Sequence, residues 1–398
     1  MNKETVLSSL GILPKEEMLE VKRDSKQLLI GVPKESSFQE NRVSLTPDSV
    51  GLLVDSGHSV IVENNAGEAS NFSNQEYIDK GAEIVFSKNE VYKANIIVKI
   101  EPPTSKEISL MHNNQKLISA VQINTQSKEF FNKLNKKNIT SFGYEFIKDN
   151  HNKLPFVRIM SEIAGNTSML IAGEYLSNIN QGKGLMLGGI SGLIPTNVVV
   201  IGAGTVGEFA CKSSLGLGAS VIVFDNSITK LRRLQNNVKN IVSTSTLQPK
   251  VLLKALKRAD VVIAALQIGN GRVPCVVTEE MVKEMKKGSV VIDVSIDQGG
   301  CFETSEVTSH KNPVFTKYDV IHYCVPNIAS RVSRTASLAI SNIITPILLT
   351  IAEEGGVRNT IRNNPSLRNG VYTYNSNLTN TILSKQFNIP YVNLDLII

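Results

Sequence analysis

The sequence predicts an α/β protein of two domains: a central, doubly wound parallel sheet of the Rossmann type and a discontinuous α/β domain built from both ends of the chain. Three observations lead to this prediction. A chain of 398 residues is longer than one hydrophobic core usually organises. Short β-branched runs alternate with longer helix-compatible ones, which is typical of parallel sheets. The central runs are also almost continuously apolar, as expected for strands covered on both faces.

The first α/β series follows an N-terminal arm of about 26 residues that has no strong periodicity. Its predicted strands are Leu28 to Val32, Ser59 to Glu63, Glu83 to Phe86, Ile96 to Ile100 and Leu117 to Gln122. Helix-compatible stretches, such as Thr46 to Ser56 and Asn74 to Gly81, lie between them. We therefore expect residues 1–155 to form the first part of the discontinuous domain.

The second series follows a predicted buried helix, Ser161 to Ile179, and a glycine-rich bridge, Gly182 to Gly192. Its predicted strands are Asn197 to Ile201, Ser220 to Asp225, Asp260 to Ala265, Val290 to Ser295 and Val320 to Val325. A long helix, Ser330 to Glu354, interrupted near Pro346, is then expected to return the chain to the first domain. These elements place the Rossmann-type domain at residues 156–333 and the remainder of the other domain at 334–398.

Composition favours a reduced, soluble protein. The formal net charge of +6 is spread along the chain and there is no tryptophan, so nothing supports a nucleic-acid partner. The four cysteines lie far apart and lack metal-binding spacing, which predicts a metal-free protein without disulfides. No stretch approaches the ~18 consecutive apolar residues of a membrane span. We expect a cytoplasmic location and no membrane partner.

The strongest local motif is a dinucleotide-binding turn. An apolar run ending at Ile201 leads directly into Gly202-x-Gly204-x-x-Gly207 and then into a helical stretch. The first glycine permits the tight turn, the second lets the backbone approach a pyrophosphate, and the third allows close packing of helix on strand. Asp225 ends the next apolar run, where an acidic side chain receives the ribose hydroxyls and repels a 2′-phosphate. The motif therefore predicts NAD as the cofactor.

Several longer motifs resemble a known family. Two N-terminal segments resemble the alanine dehydrogenases and the related nucleotide-binding subunit of proton-translocating transhydrogenase: Gly31-Val32-Pro33-Lys34-Glu35 and Glu40-Asn41-Arg42-Val43-Ser44-Leu45-Thr46-Pro47. Residues 160–165, the glycine triplet and residues 293–303 resemble alanine dehydrogenase specifically. The similarity runs from about Leu29 to near the C-terminus, so only the N-terminal arm falls outside it.

The resemblance implies an activity and an assembly. The implied reaction is the reversible, NAD-dependent oxidative deamination of L-alanine, or of a related small amino acid, which for alanine gives pyruvate and ammonium. The discontinuous domain would then bind the substrate, in a cleft facing the NAD-binding domain. The resemblance also implies a homo-oligomer, commonly a hexamer.

The resemblance also assigns residues. It implies that Arg42 holds the substrate carboxylate, and that Asp297 lies beside the nicotinamide and shuttles protons. It implies further cofactor contacts besides the glycine triplet and Asp225: Ser161, Lys230, Ile296, Val325 and Asn327.

Most of these residues also have a simpler interpretation. Arg42 could form a surface ion pair, and Asp297 could cap the turn before Gly299. Ser161 could be the N-cap of the linking helix, and Lys230 a solvated helix residue. Taken singly, the simpler role is favoured for Ser161 and Lys230. For Asp297 the functional role is favoured, because it follows a buried strand at the carboxyl edge of the sheet.

Two positions depart from the family pattern. In Lys99-Ile100-Glu101-Pro102, Glu101 aligns with the family's carboxylate-binding lysine, and Gln122 aligns with the histidine that contacts the substrate oxo group. Glutamine donates hydrogen bonds but cannot exchange protons near neutral pH, so Asp297 would carry more of the proton transfer. Lys99 could reach the same cleft if it shares a strand face with Glu101. Glu101 could instead pair with Arg42 or Lys99, or receive a cationic group of another amino acid or amine.

The histidines offer no obvious replacement base for the missing family histidine, and His322, within an apolar run, is expected in the core.

Three other functions stay open at this stage. One is a transhydrogenase-like NAD-binding subunit, and another is a non-catalytic NAD-binding or regulatory protein. The third is an opine-type or saccharopine-type dehydrogenase with a larger second substrate.

Overall fold

The structure is a computed structural model that describes residues 26–37, 39–238, 241–269 and 271–398. Residues 1–25 of the predicted N-terminal arm lie outside the described residues. The described chain forms two sheets, each mostly parallel and each flanked by helices. The predicted α/β fold is confirmed.

The first sheet has eight strands and takes them from both ends of the chain. Its strands are β1 (Leu29–Val32), β2 (Ser59–Glu63), β3 (Glu83–Val85), β4 (Ile96–Val98), β5 (Lys116–Ser119), β6 (Thr140–Gly143), β14 (Val371–Tyr374) and β15 (Asn377–Leu378). Their spatial order is β15-β14-β6-β5-β4-β1-β2-β3, with β14 antiparallel to both of its neighbours. The C-terminal strands thus complete a sheet that begins near the N-terminus.

The second sheet has seven strands in the order β12-β13-β11-β10-β7-β8-β9. They are β7 (Asn197–Ile201), β8 (Ser220–Phe224), β9 (Ser243–Ser245), β10 (Val261–Ala264), β11 (Val290–Asp293), β12 (Val314–Lys317) and β13 (Val320–Tyr323). All pairs are parallel except β12 with β13. Leaving out β12, this is the strand order of the dinucleotide-binding Rossmann fold.

Fourteen α-helices connect or cover the strands within the described residues. They are α1 (Pro47–Asp55), α2 (Asn74–Asp79), α3 (Lys88–Val91), α4 (Ser105–Leu110), α5 (Lys128–Lys136), α6 (Pro155–Leu176), α7 (Thr205–Gly216), α8 (Ile228–Asn237), α9 (Pro249–Leu256), α10 (Glu279–Lys283), α11 (Ser333–Glu353), α12 (Val357–Asn363), α13 (Pro365–Arg368) and α14 (Thr381–Phe387). Four buried apolar clusters cover both faces of both sheets. The nearly continuous apolar runs of the strands follow from this double burial.

Two helix predictions need correction. The linking helix α6 begins at Pro155, because proline suits the first helical position, so Ser161 lies inside the helix and is not its N-cap. The long C-terminal helix is not interrupted near Pro346: α11 runs unbroken from Ser333 to Glu353. Neighbours of the proline, including Ile344 and Leu348, are buried in the core of the first sheet. Their packing outweighs the hydrogen bond that proline removes.

The expectation that no stretch approaches a membrane span needs correction: by length and composition alone, the segment Ile328–Glu353 is long and apolar enough to cross a membrane. Half of its most apolar window is buried inside the protein, where it packs against the first sheet. Packing in the core therefore accounts for the buried half of this apolar stretch. The domain boundaries near residues 155 and 333 stay a prediction.

Candidate active site

The two sheets bring two ligand-binding edges together. In each sheet the strand order reverses once, between β1 and β4 in the first and between β7 and β10 in the second. Open parallel sheets bind ligands at the carboxyl ends of strands beside such a reversal. Predicted site residues follow the ends of strands at both edges, among them Arg42, Lys99 and Gln122 on the first sheet and Gly202, Asp297 and Asn327 on the second.

The glycine turn has the geometry that a pyrophosphate requires. Gly202 has φ +114°, and a Cβ there would collide with the Ala265 carbonyl. A Cβ on Gly207 would collide with the Gly202 carbonyl oxygen, so helix α7 packs on the turn only with glycine there. Gly204 is the N-cap of α7, and a Cβ added to it would meet no atom within 4 Å, which leaves open space above the first turn. Since the first N–H groups of a helix have no partner within it, those of α7 are available to an anion placed in this space.

Asp225 and Arg233 fix the same turn. The buried Asp225 carboxylate accepts hydrogen bonds from the N–H groups of Ala203 and Ser227, both at 2.8 Å. Arg233 Nη2 donates to the Ala203 carbonyl oxygen at 2.9 Å. Sequence reasoning missed Arg233, because only the packing of α8 shows which of its basic residues turns towards the glycines. Lys230 is exposed on the first turn of α8.

Arg42 is buried, with much of its hydrogen-bonding capacity already used. Its Nε and Nη2 donate to the two carboxylate oxygens of Glu40, at 2.7 and 2.5 Å. Its Nη1 contacts the Met160 sulfur at 3.4 Å, and its Nη2 lies 3.7 Å from Glu101 Oε1. Burial alone would raise the pKa of Glu40, but the guanidinium outweighs it and brings the pKa to about 2. Arg42 is therefore an inward-facing group beside the cleft, and not half of a surface ion pair.

Lys99 does not reach the cleft. Its side chain is 1 % exposed, and its ammonium lies 2.8 Å from Glu35 and 3.6 Å from Glu107. Glu35 also accepts the Ile100 N–H at 2.6 Å, which ties this ion pair to the backbone after β4. The structure therefore contradicts the hypothesis that Lys99 replaces the missing family lysine. Its role is to hold the segment that carries Glu101.

Glu101 and Gln122, the two positions that depart from the family pattern, contact each other at one corner of the cleft. Gln122 Nε2 donates to Glu101 Oε2, while the N–H groups of Val121 and Gln122 are held by Glu145 at 2.9 and 2.8 Å. Burial raises the pKa of Glu101 to about 8, and the neighbouring Glu40 carboxyl, within hydrogen-bonding reach, adds to the shift. Of the pairings left open for Glu101, the structure has the one with Arg42 and not the one with Lys99.

Asp297 and Asn327 face this corner from the second sheet. The Asn327 N–H donates to Asp297 Oδ1 at 3.2 Å, and Asn327 Nδ2 donates to Glu40 Oε2 at 2.8 Å. Asn327 has φ 55°, a left-handed conformation that asparagine tolerates. Asp297 keeps contact with solvent, but the protein walls of the cleft raise the pKa of its carboxyl, against the opposing effects of the Asn327 N–H and Arg42.

The other predicted cofactor contacts, Ile296, Val325 and Ser161, have no hydrogen bond to the cleft residues described above. Ile296 and Val325 are buried at the ends of β11 and β13. The Ser161 hydroxyl donates to the Val157 carbonyl of its own helix at 2.7 Å. His322 lies in the core, as expected, stacked on Phe315 and hydrogen-bonded to Thr304 at 2.9 Å.

Two residues at the rim of the cleft, Gln39 and His310, were given no role from the sequence. The His310 N–H donates to Gln39 Oε1 at 2.6 Å, and the Ser330 hydroxyl donates to the Gln39 carbonyl at 2.8 Å. His310 Nε2 and Gln39 Nε2 are buried without a hydrogen-bond partner in the described part of the chain. Burial lowers the pKa of His310, so the imidazole is neutral at pH 7. Its position depends on a loop of the second sheet that no local motif marks.

Comparison with known proteins agrees with this architecture. Residues 31–164 match the model of the N-terminal domain of the alanine dehydrogenase/PNT family, and residues 168–381 match its C-terminal domain. The chain is 38% identical over 366 residues to an alanine dehydrogenase of Methanococcus maripaludis, covering 92% of this chain and 98% of the relative. It is 36% identical over 366 residues to an alanine dehydrogenase of Bacillus subtilis, covering 92% and 96%.

Solved structures show the same relationship. An L-alanine dehydrogenase superimposes with a TM-score of 0.84 at 33% identity, over 91% of this chain and 99% of that one. A transhydrogenase from Sinorhizobium meliloti superimposes with a TM-score of 0.76 at 22% identity, over 89% and 99%, and shares the fold. With both family domains matched in order along one chain, this protein belongs to the alanine dehydrogenase/PNT family.

Proposed function

We propose that this chain is an NAD-dependent dehydrogenase that interconverts L-alanine, or a related small amino acid, with the corresponding oxo acid and ammonium. One observation carries the proposal beyond family membership. A chain of hydrogen bonds runs from Asp297 through Asn327 and Glu40 to Arg42, and so joins the two ligand-binding edges. A cofactor at one edge and a substrate at the other would meet in this cleft.

The glycine turn supports NAD as the cofactor. Gly204 and the first turn of α7 would take the pyrophosphate, with Gly202 and Gly207 keeping the backbone close. The Asp225 carboxylate would hold the adenosine ribose and repel a 2′-phosphate. Ile296, Val325 and Asn327 would line the nicotinamide end, with Ser161 and Lys230 as further contacts. When bound, NAD supplies the acceptor of the hydride removed from the amino acid.

Arg42 and Asp297 would share the work on the substrate. Arg42 would orient the substrate carboxylate, and Glu40 fixes the plane of its guanidinium in advance. Asp297 would accept and return protons while ammonia is added or lost, because its carboxyl is open to solvent and its raised pKa brings it closer to neutral. The Gln122 amide does not gain or lose a proton near neutral pH, so it would only position groups by hydrogen bonding.

An exposed apolar surface supports a homo-oligomer as the functional form. A groove of about 600 Å³ lies between α6 and the glycine-rich bridge and is lined by Leu170, Ile179, Leu185, Met186 and Leu217. Leu193 and Ile194, directly after the bridge, are 70% and 92% exposed. Exposed apolar side chains of this kind suit contact with a second copy of the chain. A hexamer is what the family resemblance implies. We also propose a cytoplasmic location with no nucleic-acid or membrane partner.

The test combines binding with turnover. Calorimetry first measures NADH binding to the full chain, and NADH absorbance then follows pyruvate plus ammonium, other oxo acids, and the reverse reaction with alanine. Binding together with turnover of pyruvate or another small oxo acid is the expected result. Binding without turnover across the panel would overturn the dehydrogenase and favour a non-catalytic NAD-binding protein or a transhydrogenase-like subunit. Absence of NADH binding would overturn both.

A further inference from the structure

The cluster around Arg42 contains one more carboxyl group than cations. Four carboxyl groups lie together there, those of Glu35, Glu40, Glu101 and Glu107, with three cations, Arg42, Lys99 and Lys88. Three of the carboxyl groups have a close cation: Glu35 has Lys99 at 2.8 Å, Glu107 has Lys88 at 3.0 Å, and Glu40 has Arg42 at 2.5 Å. Glu101 is left with only the outer side of Arg42, at 3.7 Å.

A second observation points to a proton on Glu101. Its carboxyl is 7 % exposed and lies within hydrogen-bonding reach of the Glu40 carboxylate. Two carboxyl groups at that distance cannot both be ionised without a large cost, so one of them carries a proton. Glu40 keeps its charge because Arg42 grips both of its oxygens. The proton therefore belongs to Glu101.

The charged and titratable groups near Glu101 come from two segments. The segment after β1 contributes Glu40 and Glu35, which raise the pKa of Glu101, and Arg42, which opposes them; the segment after β4 contributes Lys99, which is already paired with Glu35. Across the cleft, the Asp297 carboxyl and the neutral His310 imidazole lie near Arg42. Gln122, from the end of β5, is uncharged and donates its amide hydrogen. None of these groups gives Glu101 a cation of its own.

Resting on the proposed function, we infer that Glu101 lies beside the substrate carboxylate as a neutral carboxylic acid, with its proton shared with Glu40 and its other oxygen held by Gln122, so that it adds no negative charge next to Arg42. The proton stays on Glu101 throughout, and no covalent bond changes. A lysine at this position would attract the substrate by charge, whereas a protonated glutamate leaves the attraction to Arg42 and adds no charge of its own. An ionised Glu101 would repel the substrate. Substrate binding in this protein therefore requires a proton.

The consequence is a specific pH dependence. Since the pKa of Glu101 is raised to about 8, its proton is present below that pH and is lost above it. Affinity for an oxo acid should be constant at lower pH and then fall about tenfold for each further pH unit. Replacing Glu101 with glutamine keeps a hydrogen-bond donor of the same shape that does not titrate.

The experiment measures pyruvate binding to the enzyme with NADH bound, by NADH fluorescence, from about pH 6 to about pH 10. We expect the wild type to lose affinity above about pH 8. We expect E101Q and E101A, neither of which can ionise at this position, to bind without that loss. E129Q is the matched control, since Glu129 is exposed on α5 far from the cleft, and it should follow the wild type. NADH affinity and thermal melting of each variant show that it is folded.

Two results would overturn the inference while leaving the dehydrogenase in place. One is an E101Q variant with the wild-type pH profile. The other is an E101Q variant that binds pyruvate more tightly than the wild type at every pH, which would mean that Glu101 is ionised and receives a substrate cation. Pyruvate binding that is absent at every pH, with NADH still bound, would overturn it as well. Failure of NADH binding would instead reject the proposed function itself.

Discussion

Gly204→Ala should leave the stability of the protein nearly unchanged and weaken NADH binding. Gly204 has φ −74° and ψ −167°, a conformation open to any residue, and a Cβ there meets no atom within 4 Å. Alanine restricts the unfolded chain, which stabilises by about 0.4–1 kcal/mol. It is also a poorer N-cap than glycine, which costs roughly 0.5–1 kcal/mol. The two terms nearly cancel, so the free energy of unfolding should change by less than about 0.5 kcal/mol.

The same methyl group occupies the space proposed for the pyrophosphate. Moving the phosphates away from the first turn of α7 would lose one or two charge-assisted hydrogen bonds, each contributing about 1.5–3 kcal/mol. One such loss corresponds to roughly 10- to 100-fold weaker binding. Calorimetric titration with NADH gives the change in Kd directly, and thermal melting gives the change in stability.

Gly207→Ala is the matched contrast within the motif. Its methyl group would collide with the Gly202 carbonyl oxygen, and a backbone atom at the end of a buried strand cannot move aside cheaply. We expect Gly207→Ala to lose on the order of 3 kcal/mol in stability, visible as a lower Tm.

One result for Gly204→Ala would refute this reasoning. If that variant bound NADH within about twofold of the wild type at unchanged stability, the pyrophosphate could not rest on this turn.

Three further predictions follow from the cleft and the surface. Glu101→Lys combined with Gln122→His restores the family pair and should raise the rate of pyruvate amination above that of either single variant; no gain would remove the explanation of these departures. Asp297→Asn should lower kcat about 10²- to 10⁴-fold and leave NADH affinity near the wild-type value, and an unchanged kcat would exclude the proton-transfer role. Leu193→Asp with Ile194→Asp should give a smaller particle in sedimentation experiments, whereas an unchanged size would show that the oligomer uses another surface.

Ten of the fifteen described strands could be predicted because their signals are local, whereas β6, β9, β12, β14 and β15 were not predicted. Apolar runs flanked by glycine or polar residues located the main strands to within one to three residues, and β2 and β7 agree at both ends. The predictions ran too long where apolar residues continue past the last paired residue, as at Ile100 after β4. Tertiary packing, which no local pattern reports, decided the continuity of α11 through Pro346.

The candidate site was predictable only in part, for a geometric reason. Lys99 and Glu101 were expected to share a face by strand alternation, but β4 ends at Val98. Beyond that residue the alternation no longer applies, and the two side chains diverge: Lys99 turns inward to Glu35, and Glu101 turns to Arg42. Glu40 lies in the N-terminal family motif, but the sequence does not indicate its role, because its contact with Asn327 joins positions 287 residues apart.

Glu40 connects substrate binding to the cofactor side of the cleft. The same carboxylate oxygen accepts hydrogen bonds from Arg42 Nη2 and Asn327 Nδ2. Moving Asn327 away from Glu40 would therefore remove one of the hydrogen bonds that stabilise the carboxylate paired with Arg42. A substrate carboxylate bound to Arg42 would in turn compete for the guanidinium that holds Glu40. The contact between the two edges of the cleft and the orientation of the Arg42 guanidinium thus depend on one buried carboxylate, whose charge is in place at neutral pH because Arg42 keeps its pKa at about 2.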